Sequence, residues 1–111
     1  MIKNYTHTHL AAGRWFELTL SEQLGNIGSE YNRAIAAKRK GDAERYKNAC
    51  DRTLELCELT IDDLRWRGKP ALKELCRLNE EVVRTLIDEE QPDPRLQAYF
   101  DGHAFAARNR R

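Results

Sequence analysis

The side chains best suited to metal chemistry are three cysteines and three histidines, and their spacing matches no common metal site. Structural zinc takes four ligands, which usually include close pairs such as Cys-x-x-Cys. No such pair occurs, and cysteine packs well as a small apolar residue. We therefore interpret the cysteines as free core thiols and predict no metal ion or cofactor. The residues concerned are Cys50, Cys57, Cys76, His7, His9 and His103.

Carboxylates are numerous, but their arrangement does not predict a catalytic site. The Glu-x-x-His pattern of di-iron helical bundles is absent from the sequence. No serine, histidine and acid can be placed together either. The sequence therefore predicts a non-enzymatic protein with no catalytic residues.

Two glycines interrupt an otherwise helical pattern between Ser21 and Asn32. An interior glycine costs a helix up to about 1 kcal/mol relative to alanine, so their presence favours close approach by another backbone. We predict a helix-packing groove formed by Ser21, Gly25, Gly28 and Asn32, filled within the chain or by another subunit. A ligand site is the less favoured interpretation, and without a preceding strand Gly-x-x-Gly does not predict nucleotide binding.

The elements that must position these residues are four helices in one all-α domain spanning residues 1–111. Apolar residues recur at steps of three and four, and glycines and prolines mark the breaks. Short connections favour antiparallel neighbours, which predicts an up-down bundle of three long helices and a shorter fourth. The expected helices span about residues 8–40, 43–67, 70–88 and 94–107.

Each of the first three helices is expected to bury one stripe of residues. Asn79 falls at the centre of the third stripe, where a buried asparagine commonly fixes helix register. Gly102 predicts a kink or an early end in the fourth helix. The predicted stripes are Phe16, Leu20, Leu24, Ile27, Tyr31 and Ile35; Tyr46, Cys50, Leu54, Cys57, Ile61 and Leu64; and Leu72, Leu75, Cys76, Val82, Val83, Leu86 and Ile87.

Four large apolar residues point away from the predicted stripes of the first two helices. Tryptophan is a typical interface anchor, so they form a candidate partner surface for a homo-oligomer or another protein. The alternative is that terminal segments of the same chain cover them. These residues are Trp15, Leu18, Leu59 and Trp66.

One end of the predicted bundle collects basic residues. Cations at helix C-termini complement the helix dipole, which explains part of the pattern. The alternative is a surface for RNA, DNA or an acidic protein. The candidate nucleic-acid contacts are Arg65, Arg67, Lys69, Arg108, Arg110 and Arg111.

The composition points to a cytoplasmic protein. The formal net charge is only +1, and charged residues make up 33% of the 111 residues. No apolar run approaches the roughly 18 residues of a membrane span, and the N-terminus lacks the apolar region of a signal peptide. An odd number of cysteines without such a signal favours a reducing compartment.

Three segments resemble a family of small, uncharacterised bacterial proteins, and the match covers most of the chain. More remotely, the layout is similar to the four-helix-bundle proteins encoded in ribosomal RNA intervening sequences. Those resemble the accessory proteins of diversity-generating reverse transcriptases, which form ring-like oligomers and bind nucleic acid. From the helix surfaces, the expected function is an adaptor or scaffold that acts by protein–protein association. The alternative is a nucleic-acid-binding accessory subunit that uses the basic bundle end and partners a reverse transcriptase or another nucleic-acid enzyme. The segments are WFELTLSEQLGNIGSE (15–30), LELCELTIDD (54–63) and the ending at residues 99–108.

Overall fold

The computed structural model describes residues 13–88 and 91–109, and within them four long α-helices are joined by short connections. No strand occurs among these residues, so the predicted all-α class is confirmed. The elements are α1 (Leu20–Lys40), α2 (Ala43–Ile61), a short 3₁₀ helix (Leu64–Trp66), α3 (Pro70–Leu86) and α4 (Pro94–Arg108).

Helix α1 begins only at Leu20. The prediction of one continuous helix from residue 8 is therefore wrong over the residues from 13 onward, where the described chain starts. Residues 13–15 are helical, a turn follows, and Thr19 then caps α1. The Thr19 hydroxyl accepts from the Glu22 amide at 3.1 Å, and the Glu22 carboxylate accepts from the Thr19 amide at 2.8 Å. This capping box, Thr-x-x-Glu, is a helix-start signal that was readable in the sequence. At the other end, Gly41 takes the left-handed conformation (φ 72°), as the predicted stop requires.

Helix α2 ends at Ile61, six residues before the predicted end. Asp63 accepts from the Arg65 amide at 3.0 Å and starts the separate 3₁₀ helix, which changes the direction of the chain. Leu64 therefore leaves the predicted stripe and is 71% exposed. Phe16 leaves the first stripe for a similar reason, since it lies in the turn before α1 and is exposed.

The starts of α3 and α4 agree with the sequence. Pro70 opens α3, and Asp93 caps α4 by accepting from the Arg95 amide at 2.9 Å. Helix α4 continues through Gly102 to Arg108, so the early end that was the alternative to a kink at that glycine is wrong. None of the helices described here is long and apolar enough to cross a membrane.

Helix α1 is the centre of the core and packs mainly against α2 and α4. Its Leu24, Ile27 and Tyr31 are buried as predicted. Tyr31 lies against Phe100 of α4, with 5.5 Å between the ring centroids. Helix α3 packs on α2, and its end is held where the Tyr46 hydroxyl donates to the Leu86 carbonyl at 2.6 Å. The helices thus run up, down, up and down, with α3 less enclosed than α1.

Candidate functional site

Helix α4 occupies the glycine groove of α1. A Cβ atom on Gly28 would lie 2.6 Å from Cβ of Phe100, and one on Gly25 would lie 3.2 Å from Cα of Ala104. Ser21 Oγ and His103 Nδ1 lie 3.2 Å apart at the end of the same contact. The missing side chains therefore let α4 approach, and what fills the groove is this chain itself.

Asn32, the fourth residue assigned to the groove, is exposed. It lines a shallow cavity beside the start of α4, with Pro92 and Gln97 opposite. It lies beyond the close glycine contact and does not pack beneath α4.

The candidate partner surface is not on the outside of the molecule, so that prediction is wrong. Trp15 and Leu59 are buried, and Leu18 and Trp66 are partly buried against the core. The indole Nε1 of Trp15 donates to Thr60 Oγ1 of α2 at 3.1 Å. The segment before α1 brings Trp15 and Leu18 onto the core and the 3₁₀ helix brings Trp66 there. Leu59 is buried within α2 itself.

Gln23 joins these two tryptophans. It is fully buried at 0% exposure, and its Nε2 donates to the Trp15 carbonyl at 3.1 Å and to Asp63 Oδ2 at 2.9 Å. Its Oε1 accepts from Nε1 of Trp66 at 3.1 Å. Because buried amides must keep their hydrogen bonds, this network fixes the turn before α1 relative to the 3₁₀ helix.

Arg65 of the candidate nucleic-acid set belongs to the same network. Its guanidinium donates to Asp63 at 2.7 Å and to the Leu18 carbonyl at 2.6 Å, and lies 4.7 Å from the Trp66 ring centroid. Burial alone would raise the pKa of Asp63, but hydrogen bonds from Arg65 and Gln23 outweigh it and hold that pKa below its ordinary value. Arg65 therefore has a structural role between the segment before α1 and the 3₁₀ helix, and its assignment as a nucleic-acid contact stays a prediction.

The described members of the predicted basic set lie in two places. Arg67 and Lys69 are exposed in the connection before α3, and Arg108 is exposed beside Gly25 and Ser29 of α1. Arg110 and Arg111 lie outside the described residues, as do His7 and His9.

Helix α3 turns a second stripe outward. Helix α3 packs on α2, and its buried residues are Leu75, Leu78, Val82, Thr85 and Leu86. Beside them runs a set that we call the α3 seam. All five members were predicted to face the core, and that prediction is wrong, because Cys76 and Ile87 are exposed and the other three are only half-buried. The seam consists of Leu72, Cys76, Asn79, Val83 and Ile87.

Sequence reasoning missed a groove on the outer side of α1 and α2, which we call the arginine groove. Its centre is Glu30, whose carboxylate accepts from Arg33 at 2.6 Å and from Arg52 at 3.4 Å. The cavity measures about 460 Å³ and also contains Lys40 and Arg45. The Glu30–Arg33 spacing was visible as an i,i+3 pair. Bringing Arg52 to it depends on how α2 packs, which periodicity alone does not give.

The described residues contain no group of three or more histidines, cysteines or carboxylates placed to hold a metal ion. Cys50 and Cys57 are buried as predicted, and burial raises the pKa of Cys57 to about 12. Both thiols are therefore poor nucleophiles, whereas Cys76 is open to solvent.

The chain matches no protein-family model, and searches of curated proteins and solved structures found no match either. The resemblance to uncharacterised bacterial bundles and, remotely, to the intervening-sequence proteins stays a prediction.

Proposed function

We propose that this protein is a non-enzymatic scaffold that acts by protein–protein association, and that the α3 seam binds a second copy of the chain. The observation that carries the proposal is a heptad-spaced apolar stripe at the surface of the most amphipathic helix. At about 100° per residue, the five seam positions fall within about 80° around the helix axis. Ile87, at one end of the stripe, is 55% exposed.

The spacing of the seam is that of a coiled coil. Successive members from Leu72 to Val83 follow steps of four, three and four, the pattern of alternating d and a positions. Asn79 falls at a central d position. A single polar residue within the stripe costs stability, so the contact should be weaker than a fully apolar seam would give.

Charges beside the seam favour an antiparallel pair. Lys73 and Glu80 are exposed, lie one heptad apart and occupy the same flank, the e positions. In an antiparallel pair the e flanks of the two helices face each other, so each Lys73 meets the other copy's Glu80. A parallel pair would instead need the opposite flank, where Leu75 and Val82 are already buried within the chain. The resulting contact is isologous and closes as a twofold dimer.

Light scattering over a concentration series tests this assignment. Lys73→Glu replaces two attractive pairs by two repulsive ones and should weaken self-association about tenfold. Adding Glu80→Lys to that variant should restore association, because the charges are merely exchanged. Arg77→Glu, off the seam on the same helix, is the matched control and should leave the mass unchanged.

Two results would contradict the proposal. One is a strict monomer at high concentration for the unaltered chain. The other is a self-associating chain for which the single and double charge variants behave like the Arg77→Glu control, because the contact would then lie elsewhere.

A further inference from the structure

We propose that the arginine groove binds the sugar–phosphate backbone of a single-stranded nucleic acid. This inference goes beyond the scaffold function and involves α1 and α2 rather than the α3 seam. It also differs from the basic end of the bundle, where Arg65 is already bonded within the chain.

A buried carboxylate positions two arginines in the groove. The Glu30 side chain is 9% exposed, while those of Arg33 and Arg52 are 69% and 55% exposed. Each guanidinium carries five N–H donors, and Glu30 occupies one nitrogen of each. Most donors therefore face the solvent on side chains whose position is already fixed. Such pre-organisation lowers the entropy lost when a phosphate binds.

Further cations extend the positive surface in both directions. Lys40 and Arg45 line the same cavity, so four cations and two anions (Glu30 and Asp42) give it a net charge of +2. A second cavity of about 450 Å³ shares Glu30 and Arg33 and adds Arg14. The lining of this second cavity holds two cations and one anion, a net charge of +1.

Past the Ser29 end of the groove, Arg108 of α4 lies in a cavity that also contains Glu22, so the lining there has no net charge. This smaller cavity measures about 230 Å³ and shares Asn26 and Ser29 with the second cavity. Along α1, Ser29 to Lys40 spans about 16 Å at about 1.5 Å per residue. A stacked strand rises about 3.4 Å per nucleotide, so this length accommodates about five nucleotides.

The floor of the groove favours a phosphate backbone over an acidic protein helix. Between the charged residues, the described lining consists of Asn48 and three alanines, Ala36, Ala37 and Ala49. An amphipathic helix docks by burying large apolar side chains in a hydrophobic groove, and this floor offers little for that contact. Arginine suits a nucleic acid doubly, because it pairs with phosphate in two-point geometry and stacks on exposed bases.

Fluorescence anisotropy with labelled mixed-sequence RNA and DNA oligonucleotides, measured over a salt series, tests the inference. The first variant is Lys40→Gln with Arg45→Gln, which alters only exposed positions and leaves the buried Glu30 pairs intact. The second is Arg33→Gln with Arg52→Gln, which removes the positioned pair. The control is Arg77→Gln with Arg84→Gln, an equal change in charge on α3.

Both groove variants should bind about tenfold more weakly at moderate salt. The salt slope should fall by about 1.4, because each lost contact with a single strand contributes about 0.7. Circular dichroism checks that each variant is folded. If Arg33→Gln with Arg52→Gln unfolds, the binding of Lys40→Gln with Arg45→Gln still tests the inference. Binding of RNA alone, DNA alone or both supports the inference, since all three share the sugar–phosphate chemistry.

Three results would overturn it. One is the absence of binding to either oligonucleotide, and another is an equal loss in the Arg77 and Arg84 control. The third is displacement of the oligonucleotide by polyglutamate as readily as by unlabelled strand, which would assign the groove to acidic protein segments. Light scattering on the same variants should show unchanged self-association, so failure here is distinct from failure of the α3 seam.

Discussion

The contact between α1 and α4 and the outer stripe of α3 use opposite means of presenting a helix to a neighbour. At the first, Gly25 and Gly28 carry no side chain, and α4 packs directly on the α1 backbone. At the second, seam residues such as Val83 and Ile87 keep apolar side chains half-buried or exposed. The surface of α1 that lacks side chains is therefore filled by α4 of the same chain. The α3 seam keeps its heptad-spaced side chains half-buried or exposed, and we propose it as the surface for a partner.

The largest expected difference between the two regions concerns Phe100 and Ile87. Phe100→Ala should lower the free energy of unfolding by about 3–5 kcal/mol, because Phe100 is fully buried against α1. Ile87→Ala should change the unfolding of the dilute chain by less than about 1 kcal/mol. Urea denaturation measures both, and an equal cost at the two positions would remove the distinction.

Three glycines within helices test whether close approach matters, because replacement by alanine raises helix propensity by a similar amount at Gly25, Gly28 and Gly102. Gly102→Ala meets no atom within 4 Å and should stabilise the protein by about 0.5–1 kcal/mol. Gly28→Ala places Cβ 2.6 Å from Cβ of Phe100 and should destabilise it by about 1–2 kcal/mol despite that gain. Gly25→Ala should fall between them. Thermal denaturation ranks the three, and a stabilising Gly28→Ala would show that close approach is not needed.

The smallest effect is a pH dependence of the α1–α4 contact. Burial lowers the pKa of His103, and this outweighs the raising effect of Glu74. The unfolded chain therefore takes up a proton first, at its ordinary pKa of about 6.5, so stability should fall as the pH drops below that value. Urea denaturation between neutral and mildly acidic pH should show this loss, and His103→Gln should reduce it. Identical pH profiles would contradict this role for His103.

Local signals explain what could be predicted. Gly41, Pro70 and Asp93 act through the backbone of their own segments, so the starts of α2, α3 and α4 agree with the sequence. The same logic could have found the Thr19 capping box, because Glu22 lies within one turn of it.

Long-range contacts explain what could not be predicted. Trp15 becomes a buried residue only because Thr60 and Gln23, distant in sequence, meet it in space. The arginine groove likewise requires Arg52 of α2 to lie beside Glu30 of α1. Helical periodicity specifies which residues share a face of one helix, but not how that face is rotated against its neighbours.

Cross-linking at Cys76 tests the central claim most directly, because Cys76 belongs to the α3 seam and is exposed while Cys50 and Cys57 are buried. A short bis-maleimide added to the folded full-length chain should join two copies through this thiol in high yield. Cys76→Ser should abolish the product, and Lys73→Glu should reduce it. The account is contradicted if a mono-maleimide modifies Cys76 rapidly but the bis-maleimide gives no cross-linked dimer at concentrations where the chain self-associates.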